Sequence, residues 1–164
     1  MNEQTPPPLS DPGVLLATVF GIGRLKPAPG TWGSLAALPL PLLAPESFDP
    51  LYLLIAAVIS FIIGCWAANR YQDLTGTHDA SEVVIDEVCG QWIALSLVAL
   101  TPVSILAGFV LFRLFDILKP WPIRLADRKV GGGFGVMLDD VLAGLAAAIC
   151  LYALATVLGW EVRL

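Results

Sequence analysis

The chain has 164 residues, 57% of them hydrophobic and only 14% charged, with a net charge of −5 and a mean hydropathy of +0.78. A soluble domain carries about 25% charged residues, so the composition points to an integral membrane protein of one domain. The positive residues are too few and too scattered for a nucleic-acid footprint. Residues 1–12, MNEQTPPPLSDP, are polar and proline-rich and read as a disordered tail ahead of a single helical domain over 13–164. A basic n-region and a small-residue cleavage site are both missing, so no signal peptide is expected. Residues 14–22 are apolar but too short to span a bilayer and are placed at its interface. Residues 34–43, interrupted by Pro39 and Pro41, make a second short element. Residues 51–68 nearly reach, and 141–160 do reach, the roughly 20 apolar residues of a helical span. Cys65, Cys89 and Cys150 each fall inside apolar segments at no metal or redox spacing, and read as buried reduced thiols.

Between the two long runs, residues 88–112 carry no charge but contain Thr101-Pro102. Proline removes a backbone donor and restrains the residue before it. The run is therefore expected as two helices, about 81–100 and 103–118, in a hairpin turning at 101–102. That hairpin brings Arg70, Asp86, Glu87, Arg113, Asp116, Lys119, Asp139 and Asp140 to one membrane face. Eight of the nine Lys and Arg residues then share it (Arg24, Lys26, Arg70, Arg113, Lys119, Arg124, Arg128 and Lys129), with Arg163 opposite. Such a bias assigns the face to the cytoplasm.

The carboxylates on this face divide by their place in the helices. Asp79 and Glu82 have capping-box spacing. Asp139 and Asp140 read as lying at a helix start, where the macrodipole favours anions. Asp86 and Glu87 are placed more than a turn inside their helix, and Asp116 ends its own at the unfavourable pole. Arg113 can pair with Asp116 across three residues, but one salt bridge does not serve five carboxylates. Asp86, Glu87, Asp116, Asp139 and Asp140 offer only hard oxygen ligands, which suits Mg²⁺ completed by substrate phosphate; a lone His78 and apolar thiols argue against zinc. Asp86 and Glu87 lie about 100° apart on a helix, so one is expected to bind the ion and the other to orient water or act as base, with Asp116 and one of Asp139 or Asp140 completing the ligands from neighbouring helices. The stretches KPAPGTWGS (26–34) and KVGGGFG (129–135) precede helices, where glycine backbone and helix N-termini attract anions. Lys26, Thr31, Arg113, Lys119 and Arg124 are the candidate phosphate ligands.

Four stretches, GRLKPAPGTWGSLAALP (23–39), HDASEVVIDEVCGQW (78–92), FRLFDILKPWPI (112–123) and GGGFGVMLDDVLAG (131–144), resemble in order those of the phosphatidylglycerophosphatase A family. The resemblance implies an all-α multi-pass membrane bundle in which a central helix is surrounded by others. It also implies an inner-membrane, Mg²⁺-dependent lipid phosphatase that converts phosphatidylglycerophosphate to phosphatidylglycerol. It carries Asp86, Glu87, Asp116, Asp139 and Asp140 over as the acidic site, and leaves open which bind metal and which act as base.

Other phosphatase chemistries are excluded by the residues themselves. Cys65 and Arg70 enclose four residues where a cysteine phosphatase needs five, there is one histidine where a histidine-nucleophile enzyme uses two, and no Asp-x-Asp occurs. What remains is metal-assisted attack of water, with Arg113, Lys119 or Arg124 neutralising charge on the phosphate. Pro120 and Pro122 should stop the preceding helix, and Trp121 suits either an interfacial anchor or a buried place in the core. A small transport or scaffold protein is the competing reading, but a conduction path needs charges distributed through the membrane, whereas these cluster at one face.

Overall fold

Proline and short polar caps decide where helices begin in this chain, as the computed structural model shows for residues 6–45, 48–78 and 80–162, excluding the side chains of Asp127 and Arg128. Asp11 caps α1 (Pro12–Ala17), its Oδ1 accepting from the Gly13 and Val14 amides at 2.9 and 3.2 Å. A 3-10 turn (Ile22–Arg24) leads to α2 (Pro29–Ala37), and Pro39 breaks the chain into α3 (Pro39–Leu43). α4 (Leu51–Thr75) runs until Gly76, whose φ of 66° takes the left-handed C-cap. α5 (Ile85–Leu95) is followed by α6 (Pro102–Leu118), α7 (Ile123–Lys129) and α8 (Gly132–Leu158). Among the described residues the only extended pairing is a single bridge between Val98 and Val162.

The break at Thr101-Pro102 is present, and the hairpin with it. Thr101 caps α6 with Ser104 returning the bond, a reciprocal capping box. α5 and α6 run antiparallel: Glu87 meets Arg113, Gly90 meets Phe112 and Leu95 meets Gly108. The first helix of the pair is shorter than the sequence suggests. Val84 donates to the Ala17 carbonyl at 2.8 Å, and Ala99 donates to Glu161 at 3.0 Å. Both flanks of α5 are thus held by partners distant in sequence, which periodicity cannot register.

α5 packs against α2, α4, α6 and α8. Its 11 residues cover about 16 Å, half a bilayer core of about 30 Å. α4 and α8, at 25 and 27 residues, are long and apolar enough to cross a membrane. Their outward faces are apolar, unlike those of a soluble bundle. Small residues face inward (Ala57, Gly64, Ala67 and Ala68 on α4; Ala143, Gly144, Ala147 and Ala148 on α8). Large apolar ones (Ile55, Ile59, Ile62 and Trp66; Ile149 and Val157) are exposed. Small inward faces let helix backbones approach closely, the packing used where lipid surrounds the bundle.

Residues 6–12, read as tail, are engaged. Asp11 Oδ2 receives Arg70 Nη2 at 2.9 Å, and the Pro7 carbonyl accepts from Arg24. The Arg70 hydrogen bond holds the Asp11 carboxyl below the usual aspartate value. Residues 14–22, placed at an interface, contribute Val14 and Ala17 to the core beside α4. Asp79, the expected partner of Glu82 in a capping box, and Arg163 lie outside the described residues. Glu82 instead accepts from the Tyr71 hydroxyl at 2.7 Å and lies 3.4 Å from Arg24.

Candidate functional site

α5 and α8 begin, and α6 ends, at the same end of the molecule. Gly64 of α4 packs on Ile85 and Met137, and Gly144 of α8 rests on the Gly90 backbone, close enough that a Cβ on either glycine would collide with its neighbours. This contact brings the start of α5 against the second and third turns of α8.

The helix boundaries reverse two sequence readings. Asp86 and Glu87 lie in the first turn of α5, where the dipole favours them. Asp139 and Asp140 lie about two turns inside α8, beyond that benefit. KPAPGTWGS does not wholly precede its helix either, because α2 starts at Pro29 and takes Gly30 and Thr31 into its first turn.

One carboxylate oxygen each from Asp86, Glu87 and Asp140 lies within 4.8 Å of the other two. Adjacent residues were expected not to serve one ion as equal ligands. In the first turn of α5 the two carboxylates nonetheless come within reach of one ion. Glu87 Oε2 and Asp140 Oδ2 are buried and receive no hydrogen bond. Buried carboxylate oxygens without donors call for a positive partner, and an all-oxygen set fits a hard cation such as Mg²⁺.

Cationic side chains hold the rim. Arg113 lies 2.8 Å from Asp116 and 3.8 Å from Glu87, and donates to Ser34 Oγ at 3.3 Å. Asp116, expected among the ligands of the same ion, is not one of the three converging carboxylates; it is paired with Arg113 and borders the group beside Asp140. Asp139 pairs with Lys119 at 2.6 Å. Lys119 occupies a left-handed C-cap of α6, φ 41°, just before Pro120. Thr31 is half-buried in the first turn of α2, whereas Lys26 and Arg124 are exposed, and among the described residues no ion pair ties either to the acidic group. Trp121 is 81% exposed, as an anchor requires and a core tryptophan does not.

Three participants escaped the sequence reading. Ser34 reaches Arg113 from α2. Gly30 leaves room for Glu87 and Arg113, since a Cβ there would collide with Glu87 Oε1. Gln91, one turn below Glu87, is fully buried; its only sequence signal was an amide inside an uncharged run.

Comparison with known proteins settles the relationship. The sequence profile of the family described as Phosphatidylglycerophosphatase A matches residues 15–155. This chain belongs to that family. The Haemophilus influenzae phosphatidylglycerophosphatase A is 44% identical over 147 residues, covering 89% of this chain and 90% of the relative. The Escherichia coli phosphatidylglycerophosphatase A is 41% identical over 145 residues, 88% and 84%. A Bacteroides thetaiotaomicron protein, named provisionally as a phosphatidylinositol-3-phosphatase, is 40% identical over 157 residues, 89% and 95%. No solved structure matches. The phosphatidylglycerophosphatase A match spans all eight helices in whole or part, including every carboxylate of the site.

Proposed function

We propose that this phosphatidylglycerophosphatase A family member hydrolyses the terminal phosphomonoester of phosphatidylglycerophosphate at the Asp86–Glu87–Asp140 group, with Mg²⁺ held by those carboxylates. Phosphatase activity in phosphatidylglycerol synthesis follows from the family and its named relatives. The observation that carries the site assignment is three carboxylate oxygens within 4.8 Å of one another, two of those residues keeping a buried oxygen without a donor.

A cation bound there would polarise the phosphoryl oxygens and make water more acidic. The protein's own groups do the rest. Arg113, already between Glu87, Asp116 and Ser34, turns part of its guanidinium toward phosphate charge. Asp116 takes the proton of the attacking water while Arg113 holds its carboxylate in place. Water oxygen bonds to phosphorus, the bond from phosphorus to the glycerol oxygen breaks, and that oxygen takes up the proton carried by Asp116, leaving phosphatidylglycerol, inorganic phosphate and the restored carboxylate. Lys119, on Asp139, adds positive charge at the exit.

The membrane reading supports this placement. Gly64, level with Asp86 on α4, lies four residues before Ala68, the last of its apolar run, or about 6 Å. The acidic group therefore sits where a lipid headgroup would lie, with α4, α8 and the α5–α6 hairpin extending below it into the bilayer. The bias of Lys and Arg toward that end supports a cytoplasmic-facing site in the inner membrane.

The test is phosphate release by purified protein from phosphatidylglycerophosphate, with Mg²⁺ and after EDTA, beside phosphatidylinositol 3-phosphate. Release should stop with EDTA, return with Mg²⁺ and fall at least about 100-fold in Asp140→Asn, an effect of the size seen when groups supporting a metal are lost. Turnover insensitive to EDTA would overturn the metal assignment; preference for the inositol lipid would overturn the substrate.

A further inference from the structure

Gln91 is 0% exposed, and neither atom of its side-chain amide has a hydrogen-bond partner. A buried amide without partners is costly, and an apolar side chain would serve packing better at this place. Its surroundings say what the amide is for. Glu87, Gln91 and Leu95 recur every four residues and form one stripe along α5. Both ends of the stripe face α6: Glu87 meets Arg113, and Leu95 packs where a Cβ at Gly108 would strike it. Gln91 lies between them. Helical side chains lean toward the N-terminus, and residues four apart have Cβ atoms about 5–6 Å apart, so a rotation of the side chain suffices to bring the amide to Glu87.

Two other buried atoms at this level lack partners, Glu87 Oε2 and Arg113 Nε. One is an acceptor and the other a donor. Gln91 offers the complement of both, an N–H₂ donor and a carbonyl acceptor.

We propose that Gln91 is a positioning residue of the active site, its unpartnered amide turning to link the Glu87 carboxylate to the Arg113 guanidinium when cation and phosphate bind, so that both keep their orientation toward them. Glu87 Oε2 has a lone pair for the amide and another for the cation. The inference rests on the cation site proposed above. It adds a polar support one turn deeper than any acidic residue of α5.

The experiment uses full-length protein in detergent and reads Mn²⁺ affinity by electron paramagnetic resonance, thermal unfolding, and kcat and KM on phosphatidylglycerophosphate. Gln91→Met, similar in size and without the amide, should unfold at the parent temperature or slightly above. It should bind Mn²⁺ about 10-fold more weakly and lose about 10- to 100-fold in kcat at unchanged KM, the range expected for supports of metal ligands. Gln91→Leu, apolar and also without the amide, should do the same and serves if the methionine variant does not fold. In a Glu87→Gln background, Gln91→Met should weaken Mn²⁺ binding no further. Parental Mn²⁺ affinity and kcat in the Gln91 variants, or losses that multiply with Glu87→Gln, overturn the role of Gln91 while leaving the cation site intact. A parent protein that binds no Mn²⁺ overturns both.

Discussion

Gly30 sits in the first turn of α2, where its bare Cα faces Glu87 Oε1 and both terminal nitrogens of Arg113. Any side chain here must displace the carboxylate, the guanidinium or the helix. Displacement of about 1 Å at a reacting group can cost as much as 100-fold in rate. Gly30→Ala is therefore expected to cut kcat by about 10- to 100-fold. Its backbone φ is not positive, so alanine fits the helix and unfolding temperature should change little. Phosphate release and thermal unfolding on the same preparation check this; an active Gly30→Ala enzyme would show that α2 does not press on the site. By contrast, Asp11 and Arg70 form a pair far from any reacting group. With the Asp11 carboxyl held below its ordinary value by Arg70, the pair supports α1 at pH above about 3.9, the unfolded aspartate value. That support is lost as pH falls through the lower folded value.

At the scale of elements, α5 and α8 decide whether the carboxylates meet. Gly90 and Gly144 let their backbones touch; a Cβ on Gly90 would strike the Phe112 ring and come within 2.7 Å of the Asp140 carbonyl. Gly90→Ala should push α8 and α6 away, destabilising the protein by about 1–3 kcal/mol as overpacking does and weakening cation binding along with turnover. Unfolding by heat and Mn²⁺ titration measure the two effects; loss of neither would mean that the helices accommodate a methyl group without moving. How far the sequence reveals this arrangement depends on what encodes each part. Thr101-Pro102 announces the hairpin because a cap and a proline act locally. The Arg113–Asp116 pair is equally local, three residues along one helix. The ends of α5 are set by Ala17 and Glu161, nowhere near it in sequence, so the longer reading misplaced Asp86 and Glu87 relative to the helix start. Glycines 131–133 look like a loop, yet α8 begins within them because Asn69 of α4 accepts from the Gly133 amide at 2.6 Å and His78 from the Gly132 amide at 3.1 Å. That capping from outside moved Asp139 and Asp140 two turns inward. All five acidic residues stand out by their charge, but that only Asp86, Glu87 and Asp140 converge does not, because convergence is a property of helix contacts.

For the whole molecule, the exposed faces of α4, α6 and α8 carry Ile59, Ile62, Leu106, Val110, Ile149 and Val157, a patch that monomers in water rarely tolerate. With lipid around this belt, the ends of the bundle fall on opposite sides. Thr77 follows α4 and Lys129 closes α7, both at the acidic end; Asp49 precedes α4 and Glu161 follows α8 at the other. Cysteine placed singly at these positions, in a protein whose Cys65, Cys89 and Cys150 have been replaced by alanine, reports the arrangement through a membrane-impermeant maleimide. Positions 77 and 129 should react only from the cytoplasmic side, positions 49 and 161 only from the other. A continuous helix through 88–112 would add a crossing between 77 and 129 and send them to opposite sides. That outcome would overturn the re-entrant hairpin, and with it the account of how Asp116 at the end of α6 comes back to stand beside Asp140. If both pairs react from the sides opposite to those expected, the hairpin survives and the charge bias has been read in the wrong sense, which would put phosphate release outside the cytoplasm.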